Sequence, residues 1–225
     1  MNAEQKDILY SLLETALCHL SDGKRSFRPS PGFTDDLIHP ANEIHDLEGL
    51  SQAVTVCELC ATAQHTSELR EGEGSPAPRV LVVTDAPVQD SSTNQLFTPP
   101  QKALLEKMLA AISLSLSDNT RLTAMTRCYN GSPHFCRPWF DLELALSAPS
   151  VLLVLGEAAL SELLHTQQSL DTLRNKALYY QGLPVVVTFH PRDLLLDEQL
   201  KRPAWEDLKG LKKILESPGH PDPAV

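Results

Sequence analysis

Four short apolar runs, separated by stretches of helical length, restrict this chain to an α/β architecture. The runs are Val80 to Val83, Leu122 to Thr126, Val151 to Leu155 and Val185 to Phe189. Val185, Val186 and Val187 are β-branched, too few for a helix and without the alternation of a half-exposed strand, so that run reads as a strand covered on both faces. Helices are predicted over 99–116, 139–147 and 157–165, with a last one about 204–215. Strands interleaved with helices give a parallel sheet with right-handed crossovers. The expected fold is a three-layer αβα sandwich around a four-stranded parallel sheet.

Upstream, Ile8, Leu9, Leu12, Leu13, Ala16, Leu17 and Leu20 recur at helical spacing, and Ser21 to Pro40 reads as a linker rich in Ser, Pro, Gly and charge. A further helix is expected from Asp46 to Val56, and a loop from Glu71 to Pro78. The organisation is thus an extension over 1–45, one domain over 46–217 and a tail over 218–225.

The formal charge of -10 argues against a protein that coats nucleic acid non-specifically, although a local basic groove remains compatible with it. Arg127, Arg137, Arg192, Lys201 and Arg202 are the candidates for such a groove. No apolar run approaches a membrane span, and Met1 to Leu20 carries acidic residues without the layout of a signal peptide. A cytoplasmic monomer with no membrane contact is expected.

The unusual residues fall at the carboxyl ends of the predicted strands. Thr84-Asp85-Ala86-Pro87 follows the first, Arg127-Cys128 the second, Gly156-Glu157 the third and His190-Pro191 the fourth. Carboxyl ends of parallel strands share one rim, where open α/β sheets place their sites. Pro191 cannot continue a ladder, so the chain turns there and His190 is presented at the edge.

Five cysteines in an intracellular chain do not suggest a disulfide framework. Cys18 falls on the apolar side of the first helix. Cys57 and Cys60 form a C-x-x-C, and Cys128 and Cys136 form a second close pair. Two such pairs are what a four-thiolate metal site requires, and the spacing suits tetrahedral zinc and a [4Fe–4S] cluster alike. A thioredoxin-type redox pair is disfavoured, because Cys57 and Cys60 precede the sheet.

With these pieces laid out, the chain resembles the family 4 uracil-DNA glycosylases, the iron–sulfur branch of that superfamily, over roughly Asp46 to Leu215. The most specific part is His190-Pro191 through Leu194-Leu195, followed by Lys201-Arg202-Pro203-Ala204-Trp205-Glu206-Asp207-Leu208, which is similar to the family's His-Pro loop and next helix. Leu153 to Ala159 looks like its third-strand motif, and the four cysteines follow its cluster order. The resemblance implies a uracil-DNA glycosylase-like fold, a [4Fe–4S] cluster on Cys57, Cys60, Cys128 and Cys136 with zinc as runner-up, and DNA as partner. It implies excision of uracil or a related deaminated base after flipping from the duplex. His190 would donate to the base oxygen on which charge develops, Asp85 or Asp90 would handle water and the cationic sugar, and Phe97 would stack on the base. Ala86 and Pro87 would line the base site, and Leu194 and Leu195 would wedge into the duplex.

The departures lie in the same places. The family's Gly-Glu-Ala-Pro-Gly reads Thr84-Asp85-Ala86-Pro87-Val88 here, so both glycines are lost. The asparagine that reads the uracil edge aligns with Ala124, and Thr98-Pro99-Pro100 replaces a glycine-containing segment. Two functions are therefore carried forward: a glycosylase of weakened or altered activity, and a DNA- or partner-binding module with a decayed pocket. A zinc-stabilised protein unrelated to DNA is the third.

Overall fold

The computed structural model describes residues 44–57, 72–88, 95–129 and 133–217. The helix expected in the first 20 residues, the linker after it and the tail fall outside the described residues, as do Cys60 and Asp90.

The first described helix, α1 (Leu47–Thr55), starts where Asp46 accepts a hydrogen bond from the Gly49 N–H at 2.7 Å. The chain then runs through β1 (Glu73–Gly74), β2 (Val80–Thr84), α2 (Pro99–Ala110), β3 (Thr120–Ala124), α3 (Pro133–Ser147) and β4 (Val151–Leu155). It continues with α4 (Gly156–Leu164), α5 (Leu170–Leu173), β5 (Leu178–Tyr180), β6 (Leu183–Thr188), α6 (Pro191–Leu196), a 3-10 turn and α7 (Lys201–Glu216).

The four predicted strands are present and parallel, in the order β3-β2-β4-β6. The sheet is nevertheless six-stranded and mixed, a correction to the four-stranded expectation: β1 adds to β3 and β5 to β6, both antiparallel. β5 and β6 are joined by Gln181 and Gly182, both at positive φ (47° and 84°), which is the geometry of a tight hairpin turn. Pro184 lies opposite Tyr179 in this hairpin, and pairing with β4 begins one residue later at Val185.

Alternation along the central strands builds two cores. Leu81, Val83, Leu152, Val154, Val185 and Val187 face α3 and α4, meeting Phe140, Leu144, Ala159 and Leu163. Val80, Val82, Leu153 and Leu155 face α2 and α7, meeting Leu105, Leu109, Leu208 and Leu211. Three layers follow, as expected, because both faces of each central strand are apolar. A smaller cluster of Leu50, Val54, Cys57 and Trp139 seats α1 on α3.

Some boundaries moved for local reasons. The helix expected to reach 116 stops at Ala110, since Ser113 adopts φ 63° and the Leu114 N–H turns back to the Leu109 carbonyl. The α3 helix begins at Pro133 rather than at 139 and carries Pro138 in its second turn, where the missing N–H leaves the His134 carbonyl without its intrahelical partner.

Candidate active site

β2 is flanked by β3 on one side and β4 on the other, so the strand order reverses there and a crevice opens beyond its carboxyl end. Backbone bonds from Met125 N–H to the Thr84 carbonyl (2.9 Å) and from Thr126 N–H to the Asp85 carbonyl (3.1 Å) carry the ladder past the strands and fix Thr84 and Asp85. His190 arrives from β6.

The imidazole is held at both nitrogens. His190 is the N-cap of α6, and its Nδ1 accepts the Arg192 backbone N–H at 3.0 Å. In the neutral ring the proton therefore sits on Nε2, which lies 3.2 Å from Thr84 Oγ1. Thr84 in turn donates to Asp85 Oδ1 at 3.1 Å. The result is a directed chain, Nε2–H to hydroxyl to carboxylate. Burial pushes the His190 pKa below its ordinary value of 6.5, with Asp85 and Asp193 opposing and Arg192 assisting. The ring is thus neutral at pH 7, and its donor needs no positive charge. A nitrogen-detected NMR titration is expected to find the Nε2–H tautomer and a midpoint below 6.5.

Phe97 is 1% exposed and stacked on His190, with ring centroids 5.1 Å apart and planes inclined by 24°. The structure thus brings together His190, Phe97, Thr84 and Asp85. No base fits between two rings at that spacing, so the face of Phe97 towards His190 is not available for stacking, contrary to a freely presented ring. A cavity of about 470 Å³ touches Phe97, Lys102 and Arg121 but none of Thr84, Asp85 or His190.

Other expected site residues are displaced from the roles their positions suggested. Leu194 is 1% exposed and packed in the core between α6 and the sheet, so it cannot wedge into a duplex. Leu195 and Leu196 project instead, at 46% and 80% exposure. Ala86 is half-buried and Pro87 buried. Among the groove candidates, Arg127 lies in the interior and Arg137 is engaged with Tyr180 at 2.7 Å and Asp141 at 3.5 Å, while Arg192, Lys201 and Arg202 are exposed.

Two supports of His190 were not evident in the sequence. Gly156 opens α4 at φ 84°, and a Cβ there would stand 3.1 Å from the Cβ of His190. Only glycine relieves both constraints. Gly156→Ala is expected to cost about 1–3 kcal/mol in thermal melts and to shift the His190 ring resonances. The second support is Asp207, which accepts from Thr188 Oγ1 at 2.8 Å and from Arg174 at 2.9 Å, while the Arg174 guanidinium lies 4.7 Å from the centroid of the Phe189 ring. This clamp holds the two residues that precede His190.

Cys128 stands at the second rim turn, Cys136 in the first turn of α3 and Cys57 just beyond the end of α1. Cys57, Cys128 and Cys136 are buried. Arg127 N–H points at Cys136 Sγ (3.5 Å), and Trp139 Nε1–H, one turn along α3, donates to Cys57 Sγ (3.2 Å). Cys57 and Cys136 thus both lie beside the first turns of α3. N–H donors aimed at sulfur are the contacts that surround a thiolate-held centre. Among the described residues, no three ligating side chains are arranged to hold a single metal ion.

Comparison with known proteins places this fold in a family. Residues 71–209, more than half of the chain, match the profile of the Uracil DNA glycosylase superfamily. The protein called Type-4 uracil-DNA glycosylase in Sulfurisphaera tokodaii is 23% identical over 189 residues, covering 76% of this chain and 86% of that protein. Its namesake in Saccharolobus solfataricus is 20% identical over 189 residues, covering 76% of this chain and 88% of that one.

Proposed function

Since the chain belongs to the Uracil DNA glycosylase superfamily, we propose that it is a DNA-repair hydrolase that cleaves the N-glycosidic bond of uracil, or of a related deaminated base, in DNA. The observation that carries this is the neutral, buried His190, whose Nδ1 is pinned by the Arg192 N–H so that Nε2–H is available as a donor at the rim.

As the glycosidic bond lengthens, the electron pair moves onto the base and negative charge gathers on its carbonyl oxygen. His190 Nε2–H transfers its hydrogen bond from Thr84 to that oxygen, and a neutral donor does so without first losing hydration. Asp85, at the end of the same chain, orients the attacking water and offsets the positive charge on the sugar. Phe97 backs His190 and fixes the plane of the ring. Arg192, Lys201 and Arg202 are exposed and meet phosphates, while Leu195 and Leu196 enter the gap left by the flipped base.

Cys57, Cys60, Cys128 and Cys136 are proposed to hold a [4Fe–4S] cluster, with zinc as the alternative. Such a centre supplies a cross-link between chain segments and takes no part in bond cleavage. No described helix is long and apolar enough to cross a membrane, and a cytoplasmic monomer acting on DNA remains the proposed setting.

A second reading has its own support. Thr84 already occupies the His190 donor, Phe97 stacks on His190, and Ala124 offers no side-chain polar group to a base edge. These favour a DNA-binding module without turnover. Uracil release from single- and double-stranded oligonucleotides, measured beside DNA binding on anaerobically purified protein, separates the two. Turnover supports the glycosylase, and tight binding without release of uracil, hypoxanthine or xanthine supports the module.

A further inference from the structure

One buried hydroxyl engages both groups that the proposed reaction uses. Thr84 Oγ1 lies 3.2 Å from His190 Nε2 and donates to Asp85 Oδ1 at 3.1 Å. Because Nδ1 of the ring accepts the Arg192 N–H, the hydroxyl is the acceptor of the Nε2 proton. In the resting protein the donor of His190 is therefore occupied, and Asp85 is tied to the same oxygen atom.

The contact cannot relax through the ring. The imidazole is pinned at Nδ1 and backed by the Phe97 ring with centroids 5.1 Å apart, and a Cβ on Gly156 would already stand 3.1 Å from the Cβ of His190. Nor can it relax through the strand. Thr84 pairs in register with Ala124 of β3, and its carbonyl accepts the Met125 N–H at 2.9 Å. β3 is itself tied to α3 by Glu143, which accepts from Arg121 Nε at 2.6 Å, Thr123 Oγ1 at 2.5 Å and, just past the strand, Arg127 Nη2 at 2.8 Å. What is left to move is the Thr84 side chain. It is fully buried, so water does not compete for its hydroxyl. Its χ1 is stiff because it branches at Cβ, and a rotation that frees Nε2–H breaks the bond to Asp85 as well.

We propose that Thr84 is a latch on the reaction: its hydroxyl holds His190 and Asp85 to each other in the resting protein, and releasing it forms part of the barrier to base excision. The inference rests on the glycosylase reading. A group that binds the reacting residues in the ground state and lets them go in the transition state slows the step, so removing it raises the rate. A threonine that served only packing would give a loss or no change.

The test uses full-length protein purified anaerobically, single-turnover release of uracil from a single-stranded oligonucleotide, and proton–nitrogen NMR of the His190 ring. Thr84→Val keeps the shape of the side chain and removes the hydroxyl. It is expected to raise the rate of release about tenfold and to move the Nε2–H proton resonance upfield, as loss of an acceptor does. Thr84→Ser keeps the hydroxyl and should return both readouts towards wild type. Should Thr84→Val fail to fold, Thr84→Ala replaces it with the same expected signs. A Thr84→Val rate equal to or below wild type overturns the inference, as does an Nε2–H resonance that stays in place. Thr84→Ser that is as fast as Thr84→Val overturns it too, since the hydroxyl would then not be what slows release. In each of these cases uracil release by the wild type leaves the glycosylase reading standing. Release by Thr84→Val where the wild type is silent supports both. No release of uracil, hypoxanthine or xanthine by any of these proteins overturns the glycosylase reading and this inference with it.

Discussion

Replacing His190 by alanine is expected to lower kcat for uracil release by about 10²–10³ while leaving KM nearly unchanged. The reason is where its proton is used. In the resting protein Nε2–H is satisfied by Thr84 at 3.2 Å, so ground-state binding gains little from it. In the transition state the leaving base carries charge, and a donor to that oxygen is worth far more than one to a neutral hydroxyl. The substitution also removes the N-cap of α6, which costs about 1 kcal/mol of stability and must be separated from the kinetic effect by a thermal melt. Turnover that survives the change would remove His190 from the reaction as a required group.

The second large effect concerns stability. Glu143→Ala leaves Arg121 and Arg127 facing each other in the interior, and breaking a buried pair by removing one partner costs about 3–5 kcal/mol. For a chain of this size that corresponds to a fall in Tm of roughly 6–20 °C. The effect depends on pH in a defined direction. Burial raises the Glu143 pKa, but the charges of Arg127 and Arg121 and the hydrogen bonds from Thr123 and Arg121 outweigh it, and the folded-state value lies below 4.5. A group depressed in the folded state contributes fully above its unfolded value and loses that contribution as pH falls through the folded one. The gap in Tm between wild type and Glu143→Ala should therefore be constant near pH 7 and narrow once the pH drops below 4.5. A gap that stays constant down to pH 3 would show that the carboxylate charge is not what stabilises the network.

Both effects depend on residues that differ in how far the sequence reveals them. His190 was legible because proline follows it and a β-branched run precedes it, which place it at a strand end. Glu143 was not, because a glutamate on an amphipathic helix has the same local pattern whether it faces water or two arginines. Asp207 and Arg174 are separated by 32 residues between them, and no periodicity links them. Leu194, Leu195 and Leu196 are alike as letters, and only the direction of α6 decides that the first is core while the other two project. The two added strands were missed for a similar reason. A two-residue strand such as Glu73–Gly74 has no pattern of its own, and Gln181-Gly182 is a weaker hairpin signal than Asn-Gly.

What the sequence alone determined is the set of short apolar runs, their separation by helices, and the chain positions of the rim residues. Those features are local, and period and composition encode them directly. The tertiary structure decided that His190 is a neutral Nε2–H donor, that Phe97 covers it, and that one buried carboxylate holds two arginines beside the cysteines. Protonation state, ring stacking and charge compensation depend on distances of about 3–5 Å between residues far apart in the chain. Such distances exist only once the sheet has brought the strands side by side.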